Sequence, residues 1–460
     1  MRSRNTAAAQ DVAGAAPSRA SVADTVRVAA TALAPVVARG VIIRRPRVVA
    51  MAERMDADHR LVRTLQRLRA RYGPAPLRLR VPGRSVVLVL DPGDVDDVLA
   101  RSPEPFATTT PEKRGALGHF QPRGVLISHG GARADRRRFT EAVLEPERPV
   151  HHLAAPMTAV VREEAADLLA TAERTGALNW DAFAPVWFRI VRRVVLGDSA
   201  RDDTGLTDLL AELRGAANWS LLHRGDGRRR AEFLDRLRVR LARAEPGSLA
   251  AAMAAAPATA QTHPVEQVPQ WLFAFDPAGM ATFRALALLA SHPHERAAVQ
   301  DELAGRDLAV PQDLPLLRAA VLESVRLWPT TPAILRETTD VTELGGRTLP
   351  ARTLVAVLAS FFHRDGLRLP DANRFAPHLW ADGEATAVPA QGLVPFSAGP
   401  AICPGRNLVL YLGSTVLATL LERHDVRWAS LRCLDPERLP GTLDPFRLQF
   451  AVAPRGGEQD

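Results

Sequence analysis

Apolar residues recur every three to four positions along most of this chain, which is the period of an amphipathic helix. The pattern is almost continuous from about residue 133 to residue 290. Two more helices are predicted further on, "LPLLRAAVLESVRLW", which ends before Pro329, and "CPGRNLVLYLGSTVLATLLERH". The helical region is interrupted only near loop-forming stretches: Pro146, Gly176, Gly197, 225–227 and 251–262.

Strand patterns are short and lie on either side of the helical region. The segment "PLRLRVPGRSVVLVLDP" alternates apolar and basic residues, turns at Pro82 and Gly83, and predicts a hairpin with one buried face. Short strands are also predicted in "RTLPARTLVAVLASFF". No internal repeat appears. We therefore predict a mainly α protein with small β-sheets, an α+β fold in one large domain over residues 51–455.

Two segments are predicted before that domain. Residues 1–25 are Ala-rich and polar, which is typical of disorder. Residues 26–50 form an apolar stretch that Arg27, Pro35 and Arg39 interrupt, so it predicts an amphipathic helix packed on the protein body. A third apolar stretch, residues 271–290, is long enough to cross a bilayer, but Asp276 and Arg284 would be costly in lipid. We predict the central buried helix there, and no transmembrane span.

The amino-acid composition limits the kinds of binding partner and the cellular compartment that we expect. The 460 residues carry a formal charge of +8, and Lys113 is the only lysine among 59 basic residues. Basic runs interleaved with aromatic residues are missing, which argues against nucleic-acid binding. Cys403 and Cys433 are the only cysteines and fit neither a disulfide framework nor a zinc spacing. These features predict a reducing, cytoplasmic setting.

Cys403 lies in "FSAGPAICPGRNLVLYLG", a glycine-containing loop just before a long apolar helix. Gly399 and Gly405 leave room for a flat, bulky group, and Phe396 supplies an aromatic wall. The positive end of the following helix favours a thiolate, which is the form of cysteine that binds metals. The alternative is a buried, inert cysteine.

A second motif lies in the helix "AAVLESVRLWP". Glu323 and Arg326 are three residues apart, so they share one helix face and can form an ion pair. A surface ion pair is the alternative interpretation. The segment "DANRFAP", with Arg374, lies between this helix and Cys403.

Together these motifs resemble the cytochrome P-450 superfamily of haem-thiolate enzymes, over about residues 50–455. The family pattern F-x-x-G-x-x-x-C-x-G is met by Phe396, Gly399, Cys403 and Gly405. The family pattern E-x-x-R is met by Glu323 and Arg326, and Arg374 matches the arginine that joins this pair in a buried cluster behind the haem.

The resemblance implies haem b as cofactor, with Cys403 as the axial thiolate on its iron. It also implies that Arg133, Arg137 and Arg336 contact the haem propionates. Ala401 stands where the family often has another propionate-binding basic residue.

The central helix departs from the family pattern, which places a threonine directly after an acidic residue. Here Ala274 and Asp276 keep the small and acidic positions, and Pro277 replaces the threonine. The proline also removes the N–H that would bond the Phe273 carbonyl. Ala274, Asp276 and Pro277 are the predicted catalytic positions.

Three functions follow from this departure. The first is a monooxygenase that oxidises a small apolar or amphipathic metabolite, in secondary metabolism, with dioxygen and electrons from a separate redox partner. The second is an atypical enzyme that uses peroxide or carries out coupling, desaturation or rearrangement. The third is a non-catalytic haem- or ligand-binding protein, against which the retained Asp276 argues.

Substrate contacts and partners are also implied by family position. The predicted pocket comprises the loop 106–124, the region 204–228, and Phe273, Ala274, Met280, Thr330 and Thr331. The electron donors would be a ferredoxin and a separate NAD(P)H-dependent reductase, because no nucleotide-binding G-x-G-x-x-G follows a strand. Five arginines predict a basic docking patch: Arg133, Arg136, Arg137, Arg138 and Arg406.

Overall fold

The computed structural model describes residues 15–218, 225–380 and 392–455. Helices dominate, as the periodicity predicts. The α-helices are α1 (Val22–Val28), α2 (Ala34–Arg39), α3 (Pro46–Arg54), α4 (Ala57–Tyr72), α5 (Pro92–Ala100), α6 (Pro111–Leu117), α7 (Gly130–Leu144), α8 (Ala154–Thr175), α9 (Trp180–Leu196), α10 (Thr204–Ala217), α11 (Gly227–Leu241), α12 (Leu249–Ala255), α13 (Val268–Ser291), α14 (Pro293–Leu303), α15 (Pro315–Leu327), α16 (Ala359–Arg364) and α17 (Arg406–Glu422).

The strands are short and form three small sheets in the described residues. They are β1 (Ser18–Arg19), β2 (Leu77–Val81), β3 (Arg84–Leu88), β4 (Phe106–Ala107), β5 (Leu178–Asn179), β6 (Ala333–Thr338), β7 (Thr342–Leu344), β8 (Arg347–Leu349), β9 (Leu354–Leu358), β10 (His424–Trp428) and β11 (Gln449–Pro454). The six-stranded sheet has the order β1-β2-β3-β9-β6-β4, the second sheet β10-β11-β5, and the third β7-β8. The predicted hairpin is β2-β3, and Gly83 in its turn has a φ of +69°.

Helix α13 lies at the centre of the protein and contacts α9, α15 and α17. Its sequence is apolar on nearly all sides, and a helix of this kind needs packing partners on every face. The helical stretch Pro264–Ser291 passes the length and hydropathy test for a membrane span, but 78% of its most apolar window is buried inside the protein. This agrees with the predicted central buried helix.

The N-terminal segment differs from the prediction of disorder over residues 1–25. Residues 1–14 lie outside the described residues, but β1 pairs with β2 and α1 already begins at Val22. The Ser21 hydroxyl accepts from the Asp24 N–H, and the buried Asp24 carboxylate accepts from the Tyr72 hydroxyl at 2.8 Å. These polar contacts fix the start of the helix to α4.

The segment 26–50 is not the single helix that was predicted: it comprises helical residues up to Arg39, a loop at residues 40–45 and the start of α3. Ala29–Leu33 is π-helical and joins α1 to α2. Pro35 has no N–H to donate to the Thr31 carbonyl, so the regular bonding pattern cannot continue through this turn.

Candidate haem-thiolate site

The loop that carries Cys403 is held by its own backbone. The Cys403 N–H donates to the Phe396 carbonyl and the Ile402 N–H to the Gly399 carbonyl, both at 2.9 Å. Gly399 has a φ of +64°, and a Cβ there would lie 2.2 Å from the Leu99 carbonyl oxygen on α5. Only glycine fits this position, so the sequence signal at residue 399 has a steric cause.

The environment of the Cys403 sulfur combines burial with nearby positive groups. Burial raises the pKa of the Cys403 thiol, whereas the Gly405 N–H and the guanidinium groups of Arg137 and Arg406 lower it. The Arg137 Nη1 donates to the Ile402 carbonyl at 2.7 Å, which fixes one of these charges beside the loop. Because the pKa of the Cys403 thiol is raised overall, its thiolate form needs an additional positive partner, and a bound metal ion is such a partner.

Three cations lie together on the neighbouring elements α6, α7 and β6. They are the buried Arg133 and Arg336 and the partly buried Lys113. Burial lowers the pKa of Lys113 to about 7 and that of Arg336 to about 10, and it also lowers the pKa of Arg133. The Arg336 charge lowers the pKa of Lys113 further, and the Arg133 charge that of Arg336. Within the described residues, none of the three forms an ion pair with a carboxylate.

The bonds of these cations are to neutral acceptors. The Lys113 Nζ donates to the carbonyls of Thr108 and Leu335, at 2.7 and 2.9 Å. The Arg133 Nε donates to the Thr108 hydroxyl at 3.3 Å. Buried charges normally have a partner, so this cluster lacks anions. The two propionates of haem b would meet that requirement, and Cys403 could supply a thiolate ligand to its iron, so the residues present fit the cofactor.

Of the predicted propionate arginines, Arg133 and Arg336 belong to this cluster. Arg137 lies one helical turn after Arg133 on the same face of α7, where its Nε pairs with Glu141 at 2.6 Å and its Nη1 donates to the Ile402 carbonyl at 2.7 Å. Lys113 was not among the predicted site residues. Lys113 is distinctive in the sequence as the only lysine, but the sequence did not indicate which elements its amine would contact.

Glu323 and Arg326 form a buried pair on α15, and both side chains are 0% exposed. The Arg326 Nε and Nη2 donate to the two carboxylate oxygens at 2.5 and 2.7 Å. The same oxygens accept from the Ala376 N–H at 2.8 Å and the Trp380 indole N–H at 2.7 Å. The alternative of a surface ion pair is therefore wrong, and Trp380 is a member that the sequence did not predict.

Arg374 reaches this cluster through its backbone rather than its side chain. Its carbonyl accepts from Arg326 at 2.8 Å, while its guanidinium is half exposed and pairs with Glu437. The predicted position of the Arg374 guanidinium thus differs from the observed one. The carbonyls of residues 371–374 already take up the free donors of Arg326, and a second buried cation would find no acceptor.

Asp276 on α13 is paired with Arg214 from α10. The Arg214 guanidinium also lies 4.9 Å from the centre of the Phe273 ring and donates to the Ile42 carbonyl at 3.3 Å. The acid at this predicted catalytic position is therefore engaged by a cation. Arg214 could not be selected in advance, because arginine is frequent along this chain.

Pro277 lies within α13 without ending the helix. One turn of this region is held by α9, since the Trp187 indole N–H donates to the Phe275 carbonyl at 2.7 Å. A Cβ at Gly279 would lie 2.8 Å from the Trp187 ring, so the two helices are in direct contact there. Trp187 thus supports the turn that contains Pro277.

The predicted pocket residues are only partly brought together. Phe273 and Ala274 are half-buried, and the Phe273 ring meets Phe120 edge-on at 5.6 Å. Met280 is buried, and Thr331 is exposed. Thr330 is partly buried, and its carbonyl accepts from Arg44 at 2.6 Å. Of the predicted region 204–228, residues 219–224 lie outside the described part.

A loop at residues 40–44 reaches this region from the N-terminal segment. The Asn218 side chain accepts from the Ile42 N–H at 2.8 Å and donates to the Ile43 carbonyl at 2.9 Å. A Cβ at Gly40, which has a φ of +95°, would lie 1.9 Å from the Ile43 carbonyl oxygen. The sequence did not predict that residues before 50 contact the candidate pocket.

The structure contradicts the predicted basic docking patch. Its members Arg133, Arg136, Arg137 and Arg406 have little side-chain exposure, and only Arg138 is well exposed. The helix α7 turns most of its arginines inward, which a charge count along the sequence cannot show.

Comparisons with known proteins agree with this geometry. Residues 266–442 match the family model Cytochrome P450. A Streptomyces melanosporofaciens cyclooctat-9-en-7-ol 5-monooxygenase is 37% identical over 147 residues, 30% of this chain and 32% of the relative. A Mentha piperita flavonoid-6-hydroxylase is 34% identical over 184 residues, 37% of this chain and 36% of the relative. The matched part thus spans about a third of each relative.

A solved zebrafish cytochrome P450, determined with abiraterone, has a similar fold. The two structures superpose with a TM-score of 0.65 at 20% sequence identity, over 85% of this chain and 98% of the zebrafish chain. The predicted fold class is thereby confirmed.

Proposed function

Because this chain belongs to the cytochrome P450 superfamily, we propose that it is a haem-thiolate monooxygenase. Its substrate would be a small apolar or amphipathic metabolite, and dioxygen and electrons would be the co-reactants. The observation that carries this proposal is the Cys403 loop beside a buried group of cations without carboxylate partners.

Each group of residues has a separate task. Cys403 would hold the iron, and Lys113, Arg133 and Arg336 would bind the two propionates. Haem b with a thiolate ligand supplies the oxygen-activating chemistry. Phe120 and Phe273 present apolar surface, which favours an apolar substrate and excludes water.

Asp276 would hold or pass a proton at its carboxylate. In this structure that carboxylate is bound by Arg214. Proton exchange with water therefore requires the ion pair to open, and Arg214 becomes the residue that controls the availability of the acid. The Pro277 position contributes no hydroxyl.

We further propose that the electrons come from a separate ferredoxin and an NAD(P)H-dependent reductase, and that the protein works in the cytoplasm. The sequence holds no G-x-G-x-x-G fingerprint after a strand. The predicted arginine patch no longer supports the choice of an acidic partner, so reconstitution with ferredoxins of different charge is the direct measurement.

The cofactor assignment is tested by the spectrum of the reduced protein under carbon monoxide. We expect the Soret band of a thiolate-ligated haem in the wild type and its loss in Cys403→Ser. The matched control is Cys433→Ser, because Cys433 is the other cysteine and is exposed. If wild-type protein binds no haem, or if Cys403→Ser keeps the band, the proposal fails.

Two observations favour a second candidate, an atypical reaction driven by peroxide or leading to coupling, desaturation or rearrangement. Pro277 lacks the hydroxyl, and Asp276 is held by Arg214. Turnover with a ferredoxin system should be compared with turnover on hydrogen peroxide, in the wild type and in Pro277→Thr. Productive peroxide turnover without a gain from Pro277→Thr would favour the second candidate.

A further inference from the structure

Helix α13 has one face that its neighbours leave partly uncovered. Gln270, Phe273, Ala274 and Pro277 are all partly exposed, whereas most other residues of this helix are buried. Residues three and four positions apart lie on the same side of a helix, so these four residues border one space. This face is the contribution of α13 to the predicted substrate pocket.

Two guanidinium groups lie at the edge of this face. The guanidinium of Arg214 lies 4.9 Å from the centre of the Phe273 ring, and its side chain is 5% exposed. Arg44 comes from the N-terminal segment and donates through its two Nη atoms to the carbonyls of Gly40 and Thr330, both at 2.6 Å. The pocket is thus bordered by an apolar ring and by two positive groups from different parts of the chain.

Both guanidinium groups keep a hydrogen-bond donor unused. The Arg214 Nε is buried and has no hydrogen-bond partner within the described residues. The Arg44 Nε also donates to no atom of the part of the chain that the structure describes, because both bonds of Arg44 come from its Nη atoms. A buried donor without an acceptor is unfavourable, so this edge of the pocket lacks an acceptor group.

The neighbouring arginines have acids of their own. Arg39 is paired with Asp58 through two bonds, of 2.7 and 3.0 Å. Arg284 lies about two turns beyond Asp276 on α13. Burial and the Arg44 charge lower the pKa of Arg284 to about 10, and the Asp444 charge beside it raises that pKa. These arginines therefore add little net charge to the pocket.

Arg44 and Arg214, by contrast, have one carboxylate between them. Arg214 is paired with Asp276. Arg44 forms no ion pair with a carboxylate among the described residues, and burial together with the Arg39 charge lowers its pKa to about 10, while the Asp276 charge raises it. One positive charge is left without a counter-charge, and partly buried charges normally have one.

We propose that the substrate carries a carboxylate, which Arg44 and Arg214 bind while its apolar body lies against Phe120 and Phe273. A carboxylate offers two acceptor oxygens in one plane, which suits guanidinium donors. Its single negative charge equals the charge that Asp276 leaves uncompensated. A neutral apolar compound would leave both Nε donors without an acceptor. This inference rests on the proposed function, because it names the substrate class of the same site.

The test is isothermal titration calorimetry of the full-length, haem-loaded protein with two matched pairs of compounds. One pair is decanoate and decanol, and the other is adamantane carboxylate and adamantane methanol. Within each pair the apolar body is the same and the charge differs. We expect the acid of at least one pair to bind about tenfold more tightly than its alcohol, because its hydrogen bonds involve charged groups on both sides.

The variant Arg44→Gln should remove this preference and leave the affinity for the alcohol unchanged. Arg44→Lys keeps the positive charge and should retain part of the preference. The matched control is Arg47→Gln, which removes an exposed arginine three residues further along and should prefer the acid as the wild type does. Circular dichroism and haem absorption show that each variant is folded.

Equal binding of acid and alcohol by the wild type in both pairs, or binding of none of the four compounds, would overturn the proposal. Retention of the full preference by folded Arg44→Gln would also overturn it. The carbon monoxide spectrum separates these failures from that of the proposed function. A thiolate-ligated band without a preference for the acid refutes the carboxylate site alone, whereas absence of the band refutes the haem-thiolate enzyme and this inference with it.

Discussion

The buried carboxylate of Glu323 is the most demanding polar position in this fold, and Glu323→Gln tests it. The carboxylate accepts four hydrogen bonds, two of them from Arg326, and neither side chain is exposed. The substitution removes the negative charge but keeps the shape. It leaves the Arg326 guanidinium buried without a counter-charge and turns an amide donor toward other donors.

Removing one partner of a buried ion pair costs about 3–5 kcal/mol. A chain of 460 residues has an unfolding entropy of about 1 kcal/mol per kelvin, from about 2.1 cal/mol/K per residue. Dividing the two values predicts that Glu323→Gln lowers the Tm by about 3–5 °C. Differential scanning calorimetry of the haem-loaded protein is the assay.

Glu437→Gln is the matched control, because it makes the same change at the exposed partner of Arg374. A surface pair contributes at most about 1 kcal/mol, so its Tm should fall by about 1 °C or less. If both variants lower the Tm equally, the carboxylate of Glu323 does not compensate a buried charge and the reasoning is wrong.

Three other predictions concern the site and its supports. Burial lowers the pKa of Lys113 from 10.5 to about 7, so between these pH values only the unfolded chain still binds the proton. The Tm of haem-free protein should therefore rise as the pH increases through this range. Lys113→Met should flatten that rise, and an unchanged slope would contradict the prediction. Trp187→Phe leaves the Phe275 carbonyl without its indole donor and should cost about 1–3 kcal/mol in urea unfolding; no loss would mean that water replaces the indole. Asn218→Ala should speed hydrogen exchange at residues 42–43, measured by mass spectrometry, and unchanged exchange would show that the loop is held by other contacts.

Features set by local patterns were predictable from the sequence. The hairpin β2-β3 follows from strict alternation and a Pro-Gly turn, and α13 follows from a long apolar run whose interior charges exclude lipid. The Gly399 signal was readable because a side chain there would strike the Leu99 carbonyl. In each case one residue type is required by one nearby constraint.

Features set by contacts between distant segments were not predictable. Arg214 and Arg374 are two of many arginines, and nothing local indicates that one pairs with Asp276 while the other turns to Glu437. The inward rotation of α7 likewise depends on neighbours, which is why the expected basic patch is mostly buried. An arginine-rich chain gives the same signal for a buried guanidinium as for an exposed one.

The position of Lys113 has a practical consequence for handling this protein. It is the only lysine, and its amine is enclosed by the carbonyls of Thr108 and Leu335 beside the cation cluster. Amine-directed dyes, cross-linkers and activated surfaces therefore find no fully exposed lysine amine. The exposed thiol of Cys433 is the available site for attaching the protein to a dye or a solid support.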